Sequence, residues 1–200
     1  AAAAELERIA NEGPAHSRIA ISLETERAAL SFDAFRFAES FEKLERLRAS
    51  GLKKNDELTV TEATAMLCAQ MAETGPFDKA ESYCRETAKR SQHNKLRMTV
   101  NHLSMALIHI AKKRPGLAIE EAKQATALAE ENHDLEDVWY STLVLAEAIH
   151  QNKDPEWKRF RDAASATLAR WKNRDGAATV EAYSKRAIIA RRIAIVNSLQ

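Results

Sequence analysis

Glycine and proline are scarce in this chain, with 5 and 4 residues among 200. The glycines stand singly, so no glycine-rich loop is available to cradle a phosphate. Two cysteines are too few for a disulfide framework. No apolar run approaches the roughly 18 residues needed to cross a bilayer. Aromatic residues make up only 6%. Valine and threonine never alternate between turn residues, which argues against strands. There is no nucleophile elbow and no His-Glu-x-x-His. An initiator methionine is also missing. Ala1–Ala4 lack the basic start and apolar core of a signal peptide, and Gln200 follows no helix stop signal. Both ends read as the edges of a fragment of a larger protein.

Alanine, leucine, glutamate, lysine and arginine fill the space so vacated, a mixture that favours helix nearly everywhere. The formal net charge is +1, but it is unevenly placed. Residues 1–152 carry 19 Lys/Arg against 24 Asp/Glu, and residues 153–200 carry 11 against 5. A solvated helix face is the ordinary cause of such an imbalance. An acidic partner or nucleic acid is the alternative. Cys68 and Cys84 read as small buried thiols, which points to a reducing compartment and makes the cytoplasm the default location.

Taken in order, Leu6–Ile9 form a short helical turn stopped by Gly13-Pro14. A helix over 15–30 follows, with Ile19, Leu23 and Leu30 on one side. Asp33 caps the next, in which Phe37, Phe41, Leu44 and Arg48 keep helical spacing and Ser50-Gly51 supplies the stop. Lys53-Lys54-Asn55-Asp56 reads as a polar loop. Thr59-Val60-Thr61-Glu62 matches a capping box, opening a helix over 60–73 that turns at Gly75-Pro76 into a partner over 76–90. A second pair covers 95–113 and 115–131, with Pro115 in the first turn. Asp134 caps a helix over 135–151 carrying Val138, Leu143, Leu145, Ala146 and Ile149. Asp154-Pro155 starts another, striped by Phe160, Ala164, Leu168 and Trp171. After Gly176 a last helix spans 177–198, with Val180, Tyr183, Ala187, Ala190 and Ala194 at helical spacing. The all-α reading is therefore nine or ten helices joined by short loops.

The central hairpins repeat. Laying Ala80 on Ala118 sets an offset of 38 residues, and Leu67, Cys68 and Met71 then fall on Met105, Ala106 and His109. Helix pairs begin near 15, 59, 95 and 135, a period typical of helical solenoids. One hairpin cannot bury its own apolar face, so stacking supplies the core. Leu67-Cys68, Met71, Gly75, Phe77, Ala80, Cys84 and Ala88 (one place late) resemble the tetratricopeptide repeat (TPR) motif. Met105-Ala106, His109, Ala118, Ala122 and Ala125 follow it loosely. That resemblance implies a TPR-like right-handed solenoid over 15–200 as one domain. Its hairpins would fall near 15–49, 59–90, 95–131 and 135–172, with a capping helix at 177–198. Residues 1–14 are a short helix or scar.

In that family a ligand lies in the groove lined by the first helix of each hairpin. Carried onto the matching positions, the groove is Glu62, Ala65, Ala69, Ala72 and Glu73, then Val100, Leu103, Leu107, Ile110 and Ala111, with Asn101 placed to bond a peptide backbone. The same apolar positions also suit packing on a neighbouring hairpin. No clamp of lysine and asparagine for a terminal carboxylate is present. A candidate basic surface comprises Lys158, Arg159, Arg161, Arg170, Lys172, Arg174, Lys185, Arg186, Arg191 and Arg192. Trp157, Trp171 and Tyr183 are interleaved with it, as base stacking or a packing stripe would require. His102 and His109 share a helix face but read as packing residues and not as metal ligands. The adjacent pairs Glu120-Glu121 and Glu130-Glu131 do not support acid–base catalysis.

The expectation is a non-enzymatic scaffold for a protein or peptide, without metal, cofactor or membrane anchor. A nucleic-acid-binding repeat using the basic C-terminal third is the alternative. A ligand or peptide sensor of a transcriptional regulator is a minor third.

Overall fold

The computed structural model describes residues 14–199, with side chains from residue 21 except that of Ala187. Ten helices and no strand occur among them. They are α1 (Pro14–Asp33), α2 (Phe37–Lys54), α3 (Glu57–Thr74), α4 (Phe77–Ser91), α5 (Lys95–Ala111), α6 (Pro115–Glu131), α7 (Leu135–Gln151), α8 (Trp157–Asp175), α9 (Ala177–Ser184) and α10 (Ala187–Asn197). The expected turn at Leu6–Ile9 and the side chain of Ile19 lie outside the described residues.

One turn geometry repeats. Phe35, Asn55, Lys113, His133 and Lys153 all have positive φ, between 51° and 59°. At each of them the amide donates to the carbonyl three residues back, and the next amide donates to the carbonyl five back. At Asn55 these bonds run to Leu52 and Gly51, and at His133 to Glu130 and Ala129. This is the Schellman arrangement, which satisfies helix-end carbonyls without a side chain. The residue after the left-handed one often caps the following helix. Asp56 accepts from the Thr59 amide at 3.1 Å and Asp134 from Glu136 and Asp137 at 3.0 and 3.1 Å. Asn94 caps α5 in the same way, accepting from Arg97 at 3.1 Å, without a left-handed residue before it.

These caps correct several boundaries. Asp56, not Thr59, opens α3, and the Thr59 hydroxyl donates to it at 2.6 Å. Asp33 ends α1 and does not cap α2. Gly51 lies inside α2 and stops nothing. A Cβ there would meet Val60 Cγ2 at 2.9 Å, so glycine is required by close approach to α3. Asp154 accepts from the Glu156 amide at 2.9 Å, yet α8 begins only at Trp157. The last helix is two, broken at Lys185-Arg186.

The chain divides into two compact units, residues 1–67 and 68–200, within α3. In the first, α1 packs on α2. The described buried residues of α1 and α2 are Ile21, Ala28, Ser31, Phe32, Ser40, Leu44 and Gly51, while Leu30 is exposed. The first-helix stripe expected through Leu30 is thus rotated, because Phe32 packs against Phe37 and Phe41.

In the second unit each helix from α4 onward packs on the next, as a helical repeat requires, and α5 also touches α7. Small residues make the buried stripes of α4 and α6. Ala80, Cys84, Thr87 and Ser91 on α4 are all buried, as are Ala118, Ala122, Ala125 and Ala129 on α6. The offset is 38 residues at all four positions. Thr87 fills the place that the motif reading gave to Ala88, which is half-buried. On α8 the stripe is Trp157, Ala164, Thr167 and Trp171, with Phe160 and Leu168 only half-buried. Helix α7 is the centre: every residue from Val138 to Ile149 is buried.

Candidate partner-binding site

Cys68 and Cys84 are bonded as a disulfide with Cα atoms 4.9 Å apart, which corrects the free-thiol reading and removes the premise for a reducing compartment. The two positions face each other on α3 and α4 because both fall on inner stripes. The only sequence signal was that register. No helix among the described residues is long and apolar enough to cross a membrane.

Much of the expected groove is core. Asn101, Leu103, Leu107 and Ile110 on α5 are buried, and so is Ala72 on α3. Asn101 Oδ1 lies 3.8 Å from Cys68 Sγ. Val100 and Ala69 are half-buried, Ala111 is exposed, and Glu62 and Ala65 are half-buried on the part of α3 within the first unit.

Of the basic residues, nine are exposed or half-exposed. Arg161, Arg174 and Lys185 pair with Asp162, Asp175 and Glu181. Arg170 and Arg174 line a cavity of about 350 Å³ together with Glu130, His133, Leu135 and Val138. Trp157 and Trp171 are buried, so they offer no faces for stacking bases. Trp171 instead packs on Trp139 and Tyr183 and donates to Asp175 at 2.9 Å.

Arg192 is the exception, at 8% exposed. Helix α10 folds back onto α7 after the break at Lys185-Arg186. Its buried side is Ile188, Ile189, Arg192 and Val196, while the expected stripe residues Ala190 and Ala194 face out. That seating sets one arginine amino group on Glu147 of α7 and the other 3.1 Å from Glu73 of α3. Glu73 also accepts the hydroxyl of Tyr140 on α7. Two residues from separate expected sites, Glu73 and Arg192, therefore touch across 119 positions of sequence. Tyr140 and Glu147 went unnoticed, since nothing local marks a polar residue in a helix buried all round.

Burial lowers the affinity of Arg192 for its proton, but the Glu73 and Glu147 carboxylates more than offset this and hold it charged. Burial and the neighbouring Glu73 carboxylate keep the Tyr140 phenol protonated. The four groups form a charged clasp that is largely shielded from solvent.

Compared with family models, with curated proteins and with solved structures, the chain matches none. The site's own geometry therefore carries the functional reading.

His102 Nδ1–H donates to the Glu121 carboxylate of α6 at 2.6 Å, while His109 is buried with its Nδ1 unpaired, and burial depresses its proton affinity. Among the described residues no group of three His, Cys, Asp or Glu is placed to hold a metal.

Proposed function

We propose that this chain is a non-enzymatic, TPR-like helical-repeat scaffold that holds a protein or peptide segment against the first helices of its hairpins. One observation carries the reading: a helix, α10, is already seated beside α7 with its single buried charge met by carboxylates from α3 and α7. A face that accepts one helix by apolar stripe and charge is chemically suited to a helix-in-groove mode of recognition. The repeated small-residue stripes of α4 and α6 support the hairpin architecture that such scaffolds use.

A photo-crosslinker at Val100 or Ala111, on the first-helix side of the third hairpin, tests this in lysate of the native host. Protein adducts should form there and not from Lys123, which is exposed on α6. Adducts from Lys123 alone would overturn the assignment. Nucleic-acid binding is separated by a salt titration with labelled RNA or DNA. It requires affinity falling steeply with log salt, and no binding at low salt removes it.

A further inference from the structure

We infer that the face closed by α10 is a groove for a partner helix that carries its own buried arginine, and that α10 is the resident occupant which such a partner displaces. The inference rests on the scaffold reading above and names its ligand chemistry.

The carboxylates dictate that chemistry. Glu147 and Glu73 have side chains only 8% and 12% exposed, and Arg192 is the cation between them. A segment that covered the two carboxylates and the Tyr140 hydroxyl without bringing a positive charge would bury them unpaired, which is costly. A segment that replaces α10 must therefore bring a cation. A guanidinium suits better than an ammonium, since its planar fork reaches two acceptors at once.

Apolar neighbours set the rest of the pattern. Ile188 and Ile189 lie one turn before Arg192, and Val196 lies one turn after it, all buried. The partner is thus an amphipathic helix with an apolar pair, an arginine four and three residues on, and a branched residue four further.

Three features make α10 replaceable. It has 11 residues, below the roughly 12–15 at which an isolated helix becomes even marginally stable, so its order depends on the groove. Its joint at Lys185-Arg186 is exposed, with Arg186 extended at ψ 131°. Motion there leaves α9 in place, because Tyr183 stays packed on Trp139 and Trp171. Finally, the Nε of Arg192 is buried without an acceptor. The resident arginine is incompletely matched, and a partner that supplies an acceptor of its own would bind better.

The test uses the full chain and a fluorescein-labelled peptide of residues 187–197, read by anisotropy, with an R192A peptide as control. Ile189→Asp loosens α10 without touching Glu73, Tyr140 or Glu147. The I189D chain should bind the parent peptide at least tenfold more tightly than the native chain does. The R192A peptide should bind it at least tenfold more weakly. Hydrogen exchange across α6 checks that the variant keeps its fold. If it does not, Ile188→Asp takes its place, and the native chain with excess peptide shows whether exchange in 187–197 accelerates. Equal binding of the two peptides, or none to any chain, overturns the proposal. So does a dimer formed by exchange of α10 between copies, seen by light scattering. Protein crosslinks at Val100 without any peptide effect would leave the scaffold reading standing and sink this one alone.

Discussion

Helix α6 buries Ala118, Ala122, Ala125 and Ala129, and α10 buries Ile188, Ile189, Arg192 and Val196. Each presents one stripe to the second unit's core, yet the chemistry differs. Four alanines bring backbones close and leave no polar group in need of a partner, so this stripe of α6 is held by packing alone, with its polar contacts, such as Glu121 to His102, lying beside it. An arginine in the same kind of position must find carboxylates, and it finds them on two separate helices. Packing of the first kind is unconditional. Packing of the second depends on a charge balance that another molecule can supply.

Arg192→Met should give the largest effect, because it leaves Glu73 and Glu147 buried without a cation, a loss of about 3–5 kcal/mol in urea unfolding. Replacing all three together, with Glu73→Gln, Glu147→Leu and Arg192→Met, should recover most of it. If the single change costs nothing, the contrast with α6 disappears.

Asp137 sharpens the contrast, as a half-buried acid in the first turn of α7 whose charged neighbours are the acids Asp134 and Glu136. Burial first, then Asp134 and Glu136, push its pKa from 3.8 to about 7. The folded chain then keeps a proton that the unfolded chain releases above 3.8. Stability from this group is complete below that value, falls as pH rises, and is lost above about 7. Asp137→Asn should abolish the fall and raise stability at pH 8 by up to about 4 kcal/mol, given about 1.4 kcal/mol per unit. A thermal melt at pH 5 and pH 8 reads it. An unchanged pH dependence would show that Asp137 is ionised throughout.

Ala122→Leu should overpack the α6 stripe and cost about 1–3 kcal/mol, without altering opening of α10. Asp134→Ala removes two amide partners at the start of α7 and should cost about 1 kcal/mol. Both are read as shifts in the urea midpoint.

Helix order and the 38-residue register were legible because small residues at helical spacing are a local pattern. Ala80 and Ala118 fell where the register put them, and Pro115 and Asp134 started their helices as expected. Helix ends were misjudged where glycine was taken for the stop. This chain places Asn55, Lys113, His133 and Lys153 in the left-handed position instead. The usable signal was the pair that follows each helix, such as Asn55-Asp56 or His133-Asp134, in which one residue closes a helix and the next opens another. The clasp was half visible. Glu73 and Arg192 each stood in a candidate set, but the break at Lys185-Arg186 carries no glycine or proline, so nothing in the sequence folds α10 back toward α3.

Native-state hydrogen exchange of the unmodified chain, followed through sub-denaturing urea, tests the clasp most directly. If α10 is a replaceable occupant, amides of Ala187–Asn197 exchange through a local opening that urea hardly affects, at a free energy well below that of α6. Should α10 and α6 instead merge onto one urea-dependent isotherm from the outset, α10 is an integral part of the core and the groove has no removable cover.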